Sequence, residues 1–319
     1  MSLRLRALAR SNDPACEAAA GDELAKGASA IDAVLAGYFA AAGAYPGVLL
    51  GPVTVLLGGT GSGDRAFDGR VRQPGKNAKR PRGVLPGEEP PRAARIGVPC
   101  SVPALAVAVG YGAHASLGRL VQAGVALARE RGAERRAAVL SRVGEVGALA
   151  FSEPEVSRAL VRQFGAPSGG LLTPADFARP EGLDKPALRR EHAGTARLSA
   201  PWSDEAAAPF GRGTTVSAVD VNGLFVAAAF ECQPEAIYVE ELELSAPMLA
   251  TPTRRGVPRA TPTAPIAAPA PLWIDYDALG SAHELWTAPG SQLIDEPGAR
   301  RLGIRRDGVK RTVEAVDAF

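Results

Sequence analysis

Residues 213–230 read GTTVSAVDVNGLFVAAAF, two runs rich in β-branched and apolar residues on either side of Asn222-Gly223. An Asn-Gly step between such runs is the strongest short-range hairpin signal, because both residues tolerate the positive φ of a tight turn. A second hairpin is expected over residues 52–70, PVTVLLGGTGSGDRAFDGR, where the run from Val53 to Leu57 meets the glycine cluster Gly58–Gly63. That cluster lacks a following Lys-Ser/Thr and opens no helix, so it reads as a turn and not as a phosphate cradle.

Helical signals surround these hairpins. Residues 14–43 form two Ala-rich helices split at Gly27, with Ser29 as N-cap of the second and Ile31, Val34, Leu35 and Tyr38 on its buried face. Residues 103–131 continue helical with an interruption near Gly118 and with His114 inside the helix; another helix spans 134–150. Ser152-Glu153-Pro154-Glu155 reads as a capping box with Ser152 at the N-cap, Gly165 closes that helix, and Thr173–Asp176 opens a short helical turn. The Pro-rich stretches 70–95 and 245–271 are loops, and 180–211 is polar and weakly patterned.

Composition narrows the function. The chain has 319 residues, 46% hydrophobic and 22% charged, with 36 basic against 34 acidic side chains. That balance excludes a disordered or fibrous protein. A net charge of +2 argues against a dedicated nucleic-acid binder, and the basic run from Arg70 to Arg82 has no interleaved aromatics to stack bases. The three cysteines, Cys16, Cys100 and Cys232, are widely spaced, and His114, His192 and His283 are scattered, so neither a disulfide framework nor a metal site is expected. No cofactor is called for. With no signal peptide and no uninterrupted apolar span, the expectation is a cytoplasmic protein without membrane contact.

Without a local Ser/His/Asp arrangement, a hydroxyl nucleophile needs another base. An N-terminal Thr supplies its own, since an α-amine titrates near ~7.7–8.0. Gly213-Thr214-Thr215 at the head of a strand offers such a site: Thr attack on the preceding carbonyl and hydrolysis of the resulting ester would expose the amine. The plain alternative is a β-branched pair that simply favours a strand.

Several segments, in a single order across most of the chain, resemble the γ-glutamyltranspeptidase family of N-terminal-nucleophile hydrolases. LAKGASAIDAVLAGYFAAAGAYPG resembles its early helix, AFDGR its D-x-R, and Val98-Pro99 with Gly112-Ala113-His114 its V-P-G and A-H segment. Gly169–Phe177 is similar to G-G-x-L-T-x-x-D-L, and GTTVSAVDVNGLFV to the motif around the nucleophile.

The resemblance implies an α/β fold, a four-layer αββα sandwich, in a single shortened domain whose residues 1–213 are large-subunit-like and whose residues 214–319 are small-subunit-like. It implies self-cleavage after Gly213, catalysis by Thr214 with Thr215 beside it, and Arg70 with Asp68 binding the substrate carboxylate, for which a planar guanidinium is suited. The partner would be a small γ-glutamyl or other acyl amide. The stretch between Asp176 and Thr214 is far shorter than in the family, and a sheet face left open by the helical segment missing there would favour a homo-oligomer.

The family's His after the Thr pair is absent. Counting back from Ser217-Ala218-Val219-Asp220 without a gap puts Gly213 on the nucleophile position, whereas a one-residue shift keeps Thr214 there. Two functions therefore remain: an amide hydrolase or acyltransferase, and a non-catalytic scaffold.

Overall fold

A computed structural model describes residues 6–59, 63–78, 83–178, 180–192, 194–203, 212–232, 235–266, 269–287 and 301–318. One six-stranded antiparallel sheet contains β1 (Leu8–Ser11), β8 (Arg212–Val219), β9 (Phe225–Cys232), β2 (Val53–Gly58), β3 (Arg65–Gly69) and β5 (Asp184–Pro186), in that spatial order. A second contains β16 (Thr312–Ala318), β15 (Arg301–Asp307), β14 (Ala282–Thr287), β13 (Leu272–Tyr276), β7 (Thr195–Ser199) and β6 (Leu188–His192). Two short ribbons, β10 (Ala236–Val239) with β11 (Leu244–Pro247) and β4 (Val71–Arg72) with β12 (Pro265–Ile266), complete the strands.

The helices are α1 (Pro14–Ala25), α2 (Ala30–Ala44), α3 (Ser101–Val109), α4 (Leu117–Leu120), α5 (Gln122–Glu130), α6 (Glu134–Val146) and α7 (Pro154–Phe164). They lie on one side of the first sheet, and the second sheet packs on its other side. Each face of the central sheet thus has its own core: Val53, Val55, Val216 and Phe230 meet the helices, while Leu56, Phe225, Ala227 and Ala229 meet Leu272, Ile274 and Leu285 of the second sheet. These make helix, sheet and sheet, three of the four layers expected; a second helical layer is not among the described residues.

Both expected hairpins form, β2–β3 and β8–β9. The second closes through the five residues 220–224 and not through a two-residue Asn-Gly turn, because Asp220 Oδ1 accepts from Asn222 N at 2.9 Å and Leu224 N at 3.2 Å. Only Gly223 takes a positive φ, +85°.

Helix α2 is buried on every side, as an Ala-rich sequence with no charge after its first turn permits. Its start is the expected Ser29 cap, completed by Asp32 as a capping box. Asp32 also accepts from His114 N and Ala115 N, both at 3.0 Å. Those amides explain a correction: His114 is not helical, since residues 110–116 leave the helix to satisfy the fully buried Asp32 carboxylate. At α7 the expected Ser152 cap is also overturned. Glu153 is the N-cap residue and Ser152 Oγ donates to the Phe177 carbonyl at 2.7 Å. The Thr173–Asp176 box forms as expected. Strands β5, β6 and β7 lie in the stretch 180–211 that carried no pattern, and the glycine cluster Gly58–Gly63 lies partly outside the described residues.

Candidate active site

Strand β8 carries Gly213, Thr214 and Thr215 in an unbroken ladder, opposite Glu231, Phe230 and Ala229. The rows continue across the sheet. Thr214 aligns with Phe230, Val53 and Gly69; Thr215 aligns with Ala229, Thr54 and Asp68. Paired residues share a face, so Thr214 looks toward the helices and Thr215 toward the second sheet. The register is pinned at the far end of β8 by Asp220, whose Oδ2 accepts from the first amide of α2, Ala30 N, at 3.2 Å. Gly213 is an ordinary paired strand residue without positive φ.

Asn12 holds this stretch from the other side. Its Nδ2 donates to the Gly213 carbonyl at 2.9 Å, and its Oδ1 accepts from Thr215 N at 2.9 Å. Ser11 Oγ donates to the Thr215 carbonyl at 2.6 Å. Next in the chain, Asp13 caps α1, accepting from Ala15 N, Cys16 N and the Tyr45 hydroxyl at 2.9, 3.1 and 2.7 Å. Burial works to raise the Asp13 pKa, but the Tyr45 hydroxyl and these amides outweigh it and hold the carboxyl below its usual value.

Thr214 is 6% exposed and its hydroxyl makes no hydrogen bond among the described residues. Thr215 Oγ1, by contrast, donates to Thr287 Oγ1 of the second sheet at 3.2 Å.

Arg70 and Asp68 stand at the same end of the sheet. Asp68 is fully buried and accepts from Arg70 Nε and Nη2 at 2.9 and 3.1 Å, with Arg72 Nη2 3.2 Å away. The Arg70 guanidinium stacks on Trp202, 4.9 Å from the ring centroid, and the indole N–H donates to Thr54 Oγ1 at 3.0 Å. Two guanidinium groups thus approach one buried carboxylate. Arg70 is buried, 4% exposed. Three strand spacings separate the Thr214 and Gly69 backbones, roughly 14 Å.

Sequence reasoning did not single out Asn12, Trp202 or Arg72 as site residues. Ser11-Asn12-Asp13-Pro14 carries a helix-start signal, yet nothing local says that its Asn reaches β8, some 200 positions away. Among the described residues no group of His, Cys, Asp and Glu could hold a metal ion. Cys16 and Cys100 are buried thiols; burial, partly opposed by Arg72, pushes Cys100 up to about 11. A cavity of about 730 Å³ opens between Asn77, Glu88, Gly169 and Thr253, and a smaller one of about 230 Å³ between Arg72, Cys100 and Asp176; neither includes Thr214, Thr215 or Arg70 in its wall. Among the described residues no helix is long and apolar enough to cross a membrane.

No family model and no curated protein matches the sequence. Solved structures do match. LmbA2991HD superposes with a TM-score of 0.75 at 14% identity, covering 99% of this chain and 97% of that one. Cephalosporin acylase from Bacillus halodurans gives 0.73 at 12% identity, covering 98% and 94%. Helicobacter pylori γ-glutamyltranspeptidase gives 0.52 at 20% identity, covering 62% and 71%. At these identities the likeness concerns backbone architecture, and on that ground the chain has the fold of the N-terminal-nucleophile hydrolases represented by cephalosporin acylase and γ-glutamyltranspeptidase.

Proposed function

We propose that the protein is a cytoplasmic amide hydrolase or acyltransferase in which self-cleavage after Gly213 exposes Thr214 as an N-terminal nucleophile. The observation that carries this reading is the Gly213-Thr214 pair near the start of β8, in a fold shared over 98% of the chain with an acylase. The Thr214 α-amine would be the base, taking the hydroxyl proton as Oγ1 attacks the substrate amide. Thr215, tied to Thr287, holds the strand behind it. Arg70 and Asp68 would bind an acidic acyl group such as γ-glutamyl, the planar guanidinium of Arg70 being suited to a carboxylate. In this reading a second helical layer would complete a four-layer αββα sandwich.

A non-catalytic scaffold is the second reading. Two observations favour it: Thr214 faces the helices while Asp68 faces the second sheet, and Asp68 already occupies two donors of Arg70.

The discriminating measurement is the intact mass of purified protein, followed by release of an aromatic amine from γ-glutamyl and glutaryl anilides. The catalytic reading predicts fragments 1–213 and 214–319 and turnover, both abolished in Thr214→Ala. A single uncut chain with no release from either anilide would leave the scaffold.

A further inference from the structure

In the intact chain the Asn12 side chain straddles Thr214, bonded through Nδ2 to the Gly213 carbonyl and through Oδ1 to the Thr215 amide. We infer that Asn12 is a catalytic residue of the self-cleavage, the donor that holds the oxyanion formed when Thr214 Oγ1 attacks the Gly213 carbonyl. This rests on the Thr214 reading proposed above.

The contact arises from how β1 ends. Backbone pairing of β1 with β8 stops at Ser11 opposite Val216, because Asp13 must turn to cap α1. The Gly213 carbonyl and the Thr215 amide would therefore lose their strand partners, and the Asn12 amide supplies both. A side-chain donor differs from a backbone one in a way that matters for chemistry. Its Oδ1 is anchored by Thr215 N, so the amide plane is fixed, while Nδ2 can follow the oxygen by a few tenths of an ångström as the carbonyl carbon becomes tetrahedral. The sheet need not move. By the alternation of the ladder, the Thr214 N–H points the other way, toward β9.

The step balances internally. The C–Oγ1 bond forms, the Gly213 C–N bond breaks, and the hydroxyl proton ends on the departing Thr214 nitrogen, giving an ester and a free amine. One water then hydrolyses the ester to the Gly213 carboxyl group and restores the Thr214 hydroxyl. That ester is also the first acyl group Thr214 carries. A substrate acyl group on the same Oγ1 puts its carbonyl where that of Gly213 had been, so Nδ2 is positioned to serve turnover as well.

Asn12→Asp tests this, because it keeps the size of the side chain and an acceptor for Thr215 N while removing the donor. Intact mass is followed at intervals after cell-free synthesis of the full chain. Removal of one oxyanion donor is expected to slow appearance of fragments 1–213 and 214–319 by ~10²–10³-fold at pH 8. The gap from the parent should narrow as pH falls toward ~4, where the introduced carboxyl is protonated and can donate. A misfolded variant would not recover in this way. Cleavage at the parent rate, or a defect that does not change with pH, would overturn the role of Asn12. A parent chain that stays uncut alongside Thr214→Ala would instead overturn the Thr214 reading, and the role of Asn12 with it.

Discussion

Asp13 joins the candidate site to the stability of the fold. Its carboxylate caps α1 and accepts from Tyr45, and these bonds hold its folded-state pKa below the unfolded value of 3.8. A group of this kind contributes stability that is present above its unfolded pKa and lost as pH falls through its lowered folded one. Asn is as good an N-cap as Asp, so Asp13→Asn removes mainly the charge at the helix N-terminus, and is expected to cost about 0.5–1 kcal/mol at pH 7. The difference in thermal midpoint between parent and variant should shrink below pH 4. A difference that is the same at pH 3 and pH 7 would show that the ionised carboxylate is not its source.

At the scale of elements, the approach of α2 to α5 decides how closely the helical layer can sit. Gly43 and Gly124 face each other there, and a Cβ on either would fall onto the partner helix's backbone carbonyl. Backbone cannot rotate aside as a side chain can. Gly124→Ala is therefore expected to cost about 1–3 kcal/mol. Gly21, inside α1, has open space at its Cβ position and an ordinary helical backbone. The same substitution there should stabilise by about 0.5–1 kcal/mol, through the lower entropy of the unfolded chain. Urea titrations of the two variants should move the midpoint in opposite directions. Equal shifts would mean that the helices re-space without cost.

For the molecule as a whole, the segments before and after Gly213 interleave in both sheets. Strands β8 and β9 lie between β1 and β2, and β13 pairs with β7. Extracting residues 214–319 would expose both cores of the central sheet. Cleavage after Gly213, if it occurs, should therefore leave the fragments co-eluting as one particle in size-exclusion chromatography, separating only in denaturant. Separation under native conditions would contradict this strand order.

The hairpin around Asn222-Gly223, the hairpin over 52–70 and the Ser29 cap were legible from sequence, because each rests on residues a few positions apart. The second sheet was not. Strands β6 and β7 are polar on their outer side, and β7 gains its strand character by pairing with β13, whose Asp275 binds the Arg197 guanidinium at 2.7 and 2.9 Å. His114 leaves the expected helix for a similar reason, since what ends that helix is Asp32, 82 positions earlier. At the candidate site the residue types at 68, 70 and 213–215 could be named in advance. Which face each Thr presents, that Asp68 engages Arg70, and that Asn12 reaches Gly213 depend on strand register across the sheet. Local sequence determines which segments can be strand, turn or helix start, because those preferences act over single turns. Only the tertiary structure decides what those segments meet, because register is set by pairings between residues some 200 positions apart.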